Sequence, residues 1–90
     1  MEENIVLTVE DYPGWCIETN IGWEKDPGKW CADIWDERKL DMEESFLLKR
    51  PFVPAKLVKS FSGEHCLTDA VLFLSEILGD YVAHRIRRAQ

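Results

Sequence analysis

"GWCIETNIGWEKDPGKWCADIW", Gly14 to Trp35, is the stretch whose reading decides the fold. It holds all four tryptophans, and the pair Trp-Cys occurs in it twice, at Trp15-Cys16 and Trp30-Cys31. In its middle, Glu24 to Lys29 is a turn built on Asp26-Pro27-Gly28, because proline fixes φ early in a turn and glycine accepts positive φ late in it. On either side apolar and polar residues alternate, which is the period of half-buried antiparallel strands. Centring the turn on Asp26-Pro27 sets Trp23 opposite Trp30, Ile21 opposite Ala32 and Thr19 opposite Ile34. One face then collects Trp15, Ile17, Thr19, Ile21, Trp23, Trp30, Ala32 and Ile34. The other collects Cys16, Glu18, Asn20, Gly22, Cys31, Asp33 and Trp35. The first is a core face and the second faces mostly solvent. In this register Cys16 and Cys31 lie about six residue steps apart, roughly 20 Å, too far for a disulfide. The doublet therefore reads as tryptophan inward and cysteine outward, and Trp35 is the tryptophan that breaks the pattern.

Working outward, "NIVLTVE" (Asn4 to Glu10) is a first strand, joined through the turn Asp11-Tyr12-Pro13-Gly14 to a second from Trp15 to Gly22. A five-residue turn adds Ile5, Leu7 and Val9 to the core face. A third strand runs from Trp30 to about Glu37. "RKLDMEE" (Arg38 to Glu44) is a charged connection. "SFLLKRPFV" and "AKLVKSF" each suit a strand, broken or bent at Pro51 and Pro54, since proline is confined to edges and bulges of a sheet. A short helix opening at Pro54 is the alternative.

The last third has helical spacing. Leu67, Ala70, Val71, Leu74, Ile77, Leu78 and Tyr81 form one stripe, with Asp69, Ser75, Glu76 and Asp80 opposite. Ser62 and Thr68 are N-cap candidates. Arg85, Arg87 and Arg88 would sit at the negative end of the dipole, and Gly79 either ends the helix or weakens it. A helix from about Cys66 to Ile86 would be roughly 30 Å long. The expected fold is α+β: a single domain over residues 1–90, in which a twisted antiparallel sheet of three or four strands packs its aromatic face on one long C-terminal helix, in the order β-β-β-β-α.

Ninety residues make one small core, and a hydrophobic fraction of 46% with 31% charged residues is globular composition. No apolar run approaches the about 20 residues of a membrane span, and Met-Glu-Glu-Asn lacks the basic, then apolar, start of a signal peptide. A cytoplasmic location without membrane contact is expected. Three cysteines, Cys16, Cys31 and Cys66, with no CxxC spacing, suit reduced thiols in a reducing compartment. The net charge of −6 is unevenly placed: residues 1–48 carry 13 acids against 4 bases, and residues 49–90 carry 4 acids against 7 bases. Such an acidic half repels nucleic acid and attracts basic surfaces, although acidity also simply keeps a small protein soluble.

Catalytic and metal-binding readings find little support. Cys16, Cys31, His65, Cys66 and His84 show no zinc spacing, so no metal or other cofactor is expected. "GEHC" (Gly63 to Cys66) places a thiol near a helix start beside His65, but neighbours on a helix point about 100° apart, which places His65 poorly as its base. A thiol enzyme using Cys66 is thus a remote alternative to Cys66 as a core residue. The pairs Glu10-Asp11, Asp36-Glu37 and Glu43-Glu44 lack the apolar pocket that general acid catalysis needs. The aromatics do not interleave with bases as direct nucleic-acid binding would require, and "HRIRR" (His84 to Arg88) reads as a helix C-terminus. Trp35, among Glu18, Asp33, Asp36 and Glu37, is either a protein-binding hot spot or a minor core beneath the 38–54 connection.

"IVLTVEDYPGW" (Ile5 to Trp15) resembles the opening hairpin of small acidic immunity proteins of bacterial polymorphic-toxin systems, and "KSFSGEHCLTDAVLFLSEILGDYV" (Lys59 to Val82) resembles their closing strand, turn and Leu-rich helix. With the strand that follows the first, the two blocks cover about half the chain; the Trp23–Trp30 hairpin and the 51–54 segment fall outside them. The resemblance implies a protein that neutralises a toxin by binding and has no catalysis. Phage-encoded anti-defence inhibitors, anti-CRISPR proteins among them, fit the same physical description.

The expected function is a non-enzymatic inhibitor or immunity protein that blocks a basic, nucleic-acid-handling protein. Asp33, Trp35, Asp36 and Glu37 form the candidate partner-binding site, with Asp41, Glu43 and Glu44 as steering charges. The alternative is a self-associating structural or assembly module, a homodimer built through strand edges and the spare tryptophan.

Overall fold

The computed structural model describes residues 3–38 and 56–89. Among these residues five strands and one helix follow in the order β1 (Ile5–Val9), β2 (Trp15–Thr19), β3 (Cys31–Asp36), β4 (Lys56–Ser62), α1 (Cys66–Leu78) and β5 (Ile86–Arg88). The strands form one antiparallel sheet in the order β4-β3-β2-β1-β5. Helix α1 lies against β3 and β4 on one face. The α+β architecture is as the sequence implies, but the final element is a strand, so the order is β-β-β-β-α-β.

The core face is the expected one. Ile5 and Leu7 of β1 stand beside Thr19 and Ile17 of β2, and these beside Ala32 and Ile34 of β3. Val9, Trp15, Ile17, Ala32 and Ile34 are buried together with Cys66, Ala70, Leu74 and Val82. The register between β2 and β3 differs by two residues from the expected one: Thr19 faces Ala32, and Ile17 faces Ile34. A shift of two preserves every side chain's face, because side chains alternate with a period of two. Its cause is Asn20, which ends β2 and continues the ladder with its side chain. Its Nδ2 donates to the Lys29 carbonyl and its Oδ1 accepts from the Cys31 N–H, both at 2.9 Å. The Thr19 hydroxyl donates to the Cys31 carbonyl at 2.7 Å. Trp23 and Trp30 therefore do not pair across strands. Trp30 packs on the core edge, its indole N–H donating to the Glu24 carbonyl, whereas Trp23 sits half-buried in the turn after β2. The expected Asp-Pro-Gly turn is a single 3-10 turn, Pro27–Lys29, capped by Asp26.

Helix α1 is shorter than expected, 13 residues or about 20 Å. Gly79, at φ +67, closes it in the left-handed conformation that glycine adopts without strain. The expected stripe is only partly inward: Ala70 and Leu74 are buried and Leu67, Val71 and Leu78 partly so, but Ile77 is 44% exposed and Tyr81, beyond the helix, 60%. Neither Ser62 nor Thr68 caps α1: Ser62 ends β4, Thr68 lies within the helix, and His65 occupies the cap position without a side-chain bond. Ser75, expected outside, is buried and organises the return of the chain. Its hydroxyl donates to the Val71 carbonyl at 2.7 Å and accepts the Val82 N–H at 3.0 Å. Ser75→Ala should cost about 1–3 kcal/mol in urea unfolding, because the Val82 N–H would be left buried without an acceptor; a loss of a few tenths would refute that role.

Of the arginines expected at a helix end, Arg87 and Arg88 lie instead in β5, the strand beside β1, and Arg85 lies in the turn before it. Arg87 faces Thr8 and Arg88 faces Leu7, and Arg87 pairs with Glu10 at 3.1 Å. Arg85 bridges Asp11 and Asp80, and the Tyr12 hydroxyl donates to Asp80 at 2.8 Å, tying the β1–β2 turn to the segment after α1. At the opposite edge β4 carries Lys56 and Lys59, with a bulge opposite Ile34/Trp35. The basic second half of the sequence thus supplies both edge strands, and the acidic first half supplies the centre of the sheet.

Candidate functional site

The face of the sheet away from α1 carries the candidate site. The cross-strand row Thr8–Cys16–Trp35–Leu57 runs over β1, β2, β3 and β4 on this face. The neighbouring row is Val6–Glu18–Asp33–Ser60. Trp35 is half-buried between Cys16 and Leu57, while Val6 (38%) and Leu57 (46%) are exposed. Cys16, expected outward in solvent, is buried on this face. It faces Trp35 directly, and four residue steps along β2, about 13 Å, separate it from Asn20, the residue that pairs with Cys31. All three cysteines are free thiols.

Val6, Cys16, Glu18, Trp35 and Glu37 line a notch of about 200 Å³. Burial, with the Glu37 carboxylate beside it, pushes the Cys16 thiol up to about 11, so it is a neutral, apolar-like floor at pH 7. The ion pairs among the described residues engage Glu10, Asp11, Asp36 and Asp80; Glu18, Asp33 and Glu37 take part in none of them.

The structure brings together Asp33, Trp35 and Glu37 of the residues proposed from sequence. Asp36 is separated from them, since alternation along β3 sends it to the opposite face, where it faces Trp15. There Arg38 donates to it three times, through its backbone N–H at 3.1 Å, Nε at 2.9 Å and Nη2 at 2.7 Å, and its guanidinium lies 4.8 Å from the centre of the Trp15 ring. Arg38, just past β3, approaches Gly14 so closely that a Cβ on Gly14 would come within 2.8 Å of the Arg38 Cα, and Gly14 holds φ +92, a second reason for glycine. Asp41, Glu43 and Glu44 lie outside the described residues. Glu18, already named beside Trp35 from the sequence, joins Asp33, Trp35 and Glu37, and Val6, Cys16 and Leu57 join the site without having been singled out, although face parity already placed Cys16 on the face of Trp35.

The Arg38 hydrogen bonds hold the Asp36 carboxyl below its ordinary range. A carboxyl whose folded pKa is lowered adds stability that is present above the unfolded value, about 3.9. That contribution is lost as pH falls through the lower folded value. Asp36→Asn should therefore lower the urea midpoint at pH 6, with the difference from wild type closing as pH drops below about 4. A difference that persists unchanged at pH 2 would show that the carboxylate charge is not the cause.

Cys66 is fully buried, and desolvation pushes its thiol up, the reverse of an activated nucleophile; His65 is exposed beside it. Among the described residues no three His, Cys, Asp or Glu side chains cluster as a metal site, and no helix is long and apolar enough to cross a membrane. Comparison of the chain with protein-family models, curated proteins and solved structures finds no match to any of them.

Proposed function

We propose that the protein is a non-enzymatic inhibitor or immunity protein of the cytoplasm, which blocks a basic, nucleic-acid-handling protein by covering it with the outer face of its sheet. The observation that supports this reading is the Trp35-centred apolar strip rimmed by Glu18, Asp33 and Glu37, three carboxylates outside the ion pairs of the described residues. An aromatic anchor in an acidic rim gives a partner of opposite charge both a contact to bury and a field to follow.

Self-association is disfavoured on two counts. Among the described residues both edges of the sheet are blunted, β5 by its three-residue length with Arg87 and Arg88, and β4 by Lys56, Lys59 and its bulge. A two-fold dimer through the Trp35 face would set one acidic rim against its copy.

The test is affinity capture from extracts of the natural host, followed by measurement with the purified pair. The wild-type chain is expected to retain a basic protein that handles nucleic acid. The Asp33→Lys, Glu37→Lys double variant should bind that protein at least about 30-fold more weakly, about 2 kcal/mol, with an unchanged thermal midpoint. Equal affinity would refute the reading.

A further inference from the structure

We infer that the Trp35 notch anchors one arginine side chain of the partner, its guanidinium lying on the Trp35 indole and bonded by Glu18 and Glu37, its stem against Val6 and Cys16. This rests on the outer-face reading and gives that surface a specific ligand chemistry.

Size limits the occupant first. At about 200 Å³ the notch is smaller than a typical small-molecule site, roughly 300–1,000 Å³, but has the volume and the apolar lining to take one side chain. Its walls then set the chemistry. Val6, Cys16 and Trp35 offer an apolar lining, and the acidic side chains at the rim are Glu18 and Glu37. Glu18 stands beside Asp33 and diagonal to Trp35, and Glu37, two residues after Trp35 and just past β3, lines the same notch. The Glu37 backbone is fixed there by its N–H bond to the Gly14 carbonyl. An indole wall between two acceptors favours a planar cation with several donors over a compact ammonium, because guanidinium stacks on the ring and donates from its edge at the same time.

The same chain holds this combination already formed on the other side of the same two strands. The Arg38 guanidinium lies 4.8 Å from the centre of the Trp15 ring and itself gives Asp36 two hydrogen bonds. Trp15 and Asp36 are a cross-strand pair of β2 and β3, as Cys16 and Trp35 are on the outer face. The outer notch repeats the tryptophan and the carboxylates, whereas the ion pairs and the cation–π contact of the described residues supply it with no cation.

The test uses the full chain, ¹⁵N-labelled, with the Trp35 indole N–H assigned through Trp35→Phe. Three acetylated, amidated tripeptides of sequence Gly-X-Gly are titrated at low ionic strength, X being arginine, citrulline (the neutral isostere) or norleucine. The arginine peptide should shift the Trp35 signal saturably, and the citrulline and norleucine peptides should bind at least tenfold more weakly. Glu18→Gln with Glu37→Gln should weaken the arginine peptide at least tenfold while the Trp15, Trp23 and Trp30 indole signals stay in place. An unmoved Trp35 signal, or equal binding of the arginine and citrulline peptides, would overturn the inference. If the arginine peptide fails while Asp33→Lys, Glu37→Lys still loses the captured protein, the arginine anchor falls and the outer-face reading survives. If that double variant keeps the captured protein, the outer-face reading itself falls.

Discussion

Leu74→Ala is expected to lower the thermal midpoint by about 20 °C, from a loss of roughly 3 kcal/mol at about 4–8 °C per kcal/mol for a domain of this size. Leu74 is fully buried in α1, in one cluster with Ile17, Ile34 and Val82. The surroundings have little freedom to collapse into the cavity. β2 and β3 are each held by ladders on both sides, and Val82 is pinned through its N–H to Ser75. A domain of this kind has only about 5–15 kcal/mol of stability in all, so one such cavity removes a large part of it. Ile77→Ala on the same helix is the control: Ile77 is 44% exposed, and its loss should cost no more than about 1 kcal/mol. Helical spacing alone puts Leu74 and Ile77 in one stripe; equal costs for the two would contradict the packing described here.

Trp35→Ala should weaken binding of the partner about 30- to 1,000-fold, the 2–4 kcal/mol of a central aromatic anchor. Trp35 sits in the middle of the outer face, with Cys16 on one side, Leu57 on the other and the acidic rim around it. Rim substitutions act on the approach of the partner and on its salt dependence, whereas loss of the anchor shortens the lifetime of the complex. Trp35→Phe should keep most of the affinity, since an aromatic surface remains. Surface plasmon resonance with the captured partner distinguishes the two: the alanine variant should dissociate faster with little change in association, and a purely slower association would assign Trp35 to the rim.

The two faces of the sheet were legible in the sequence because a period of two survives a slip of two. Ile17, Ala32 and Ile34 point inward whether Thr19 faces Ile34 or Ala32, and Asp33 stays with Trp35 in both registers. The register itself was not legible, because it depends on one asparagine side chain replacing a strand residue across the 20–30 turn. The end of α1 turned on Gly79, which either stops a helix or merely weakens it, and the backbone bonds of the next turn decide between them. β5 was hidden by its composition, three residues with a single apolar one, Ile86. Its pairing to β1 is nonlocal, and its arginines suit a helix end equally well. Asp36 was misgrouped by adjacency in sequence, whereas the alternation that placed Trp35 outside also sends Asp36 inside, to Arg38. Cys16 looked like a solvent-facing thiol because burial on the outer face depends on the indole that faces it.

The most direct measurement is the chemical-shift footprint on the ¹⁵N-labelled chain in complex with the captured partner. The changes are expected to centre on Val6, Cys16, Glu18, Asp33, Glu37 and the Trp35 indole, leaving α1 and Tyr81 unmoved. A footprint over Leu72, Ile77 and Tyr81, with the Trp35 indole unchanged, would place the binding surface on the helix side and contradict the proposed function of the outer face.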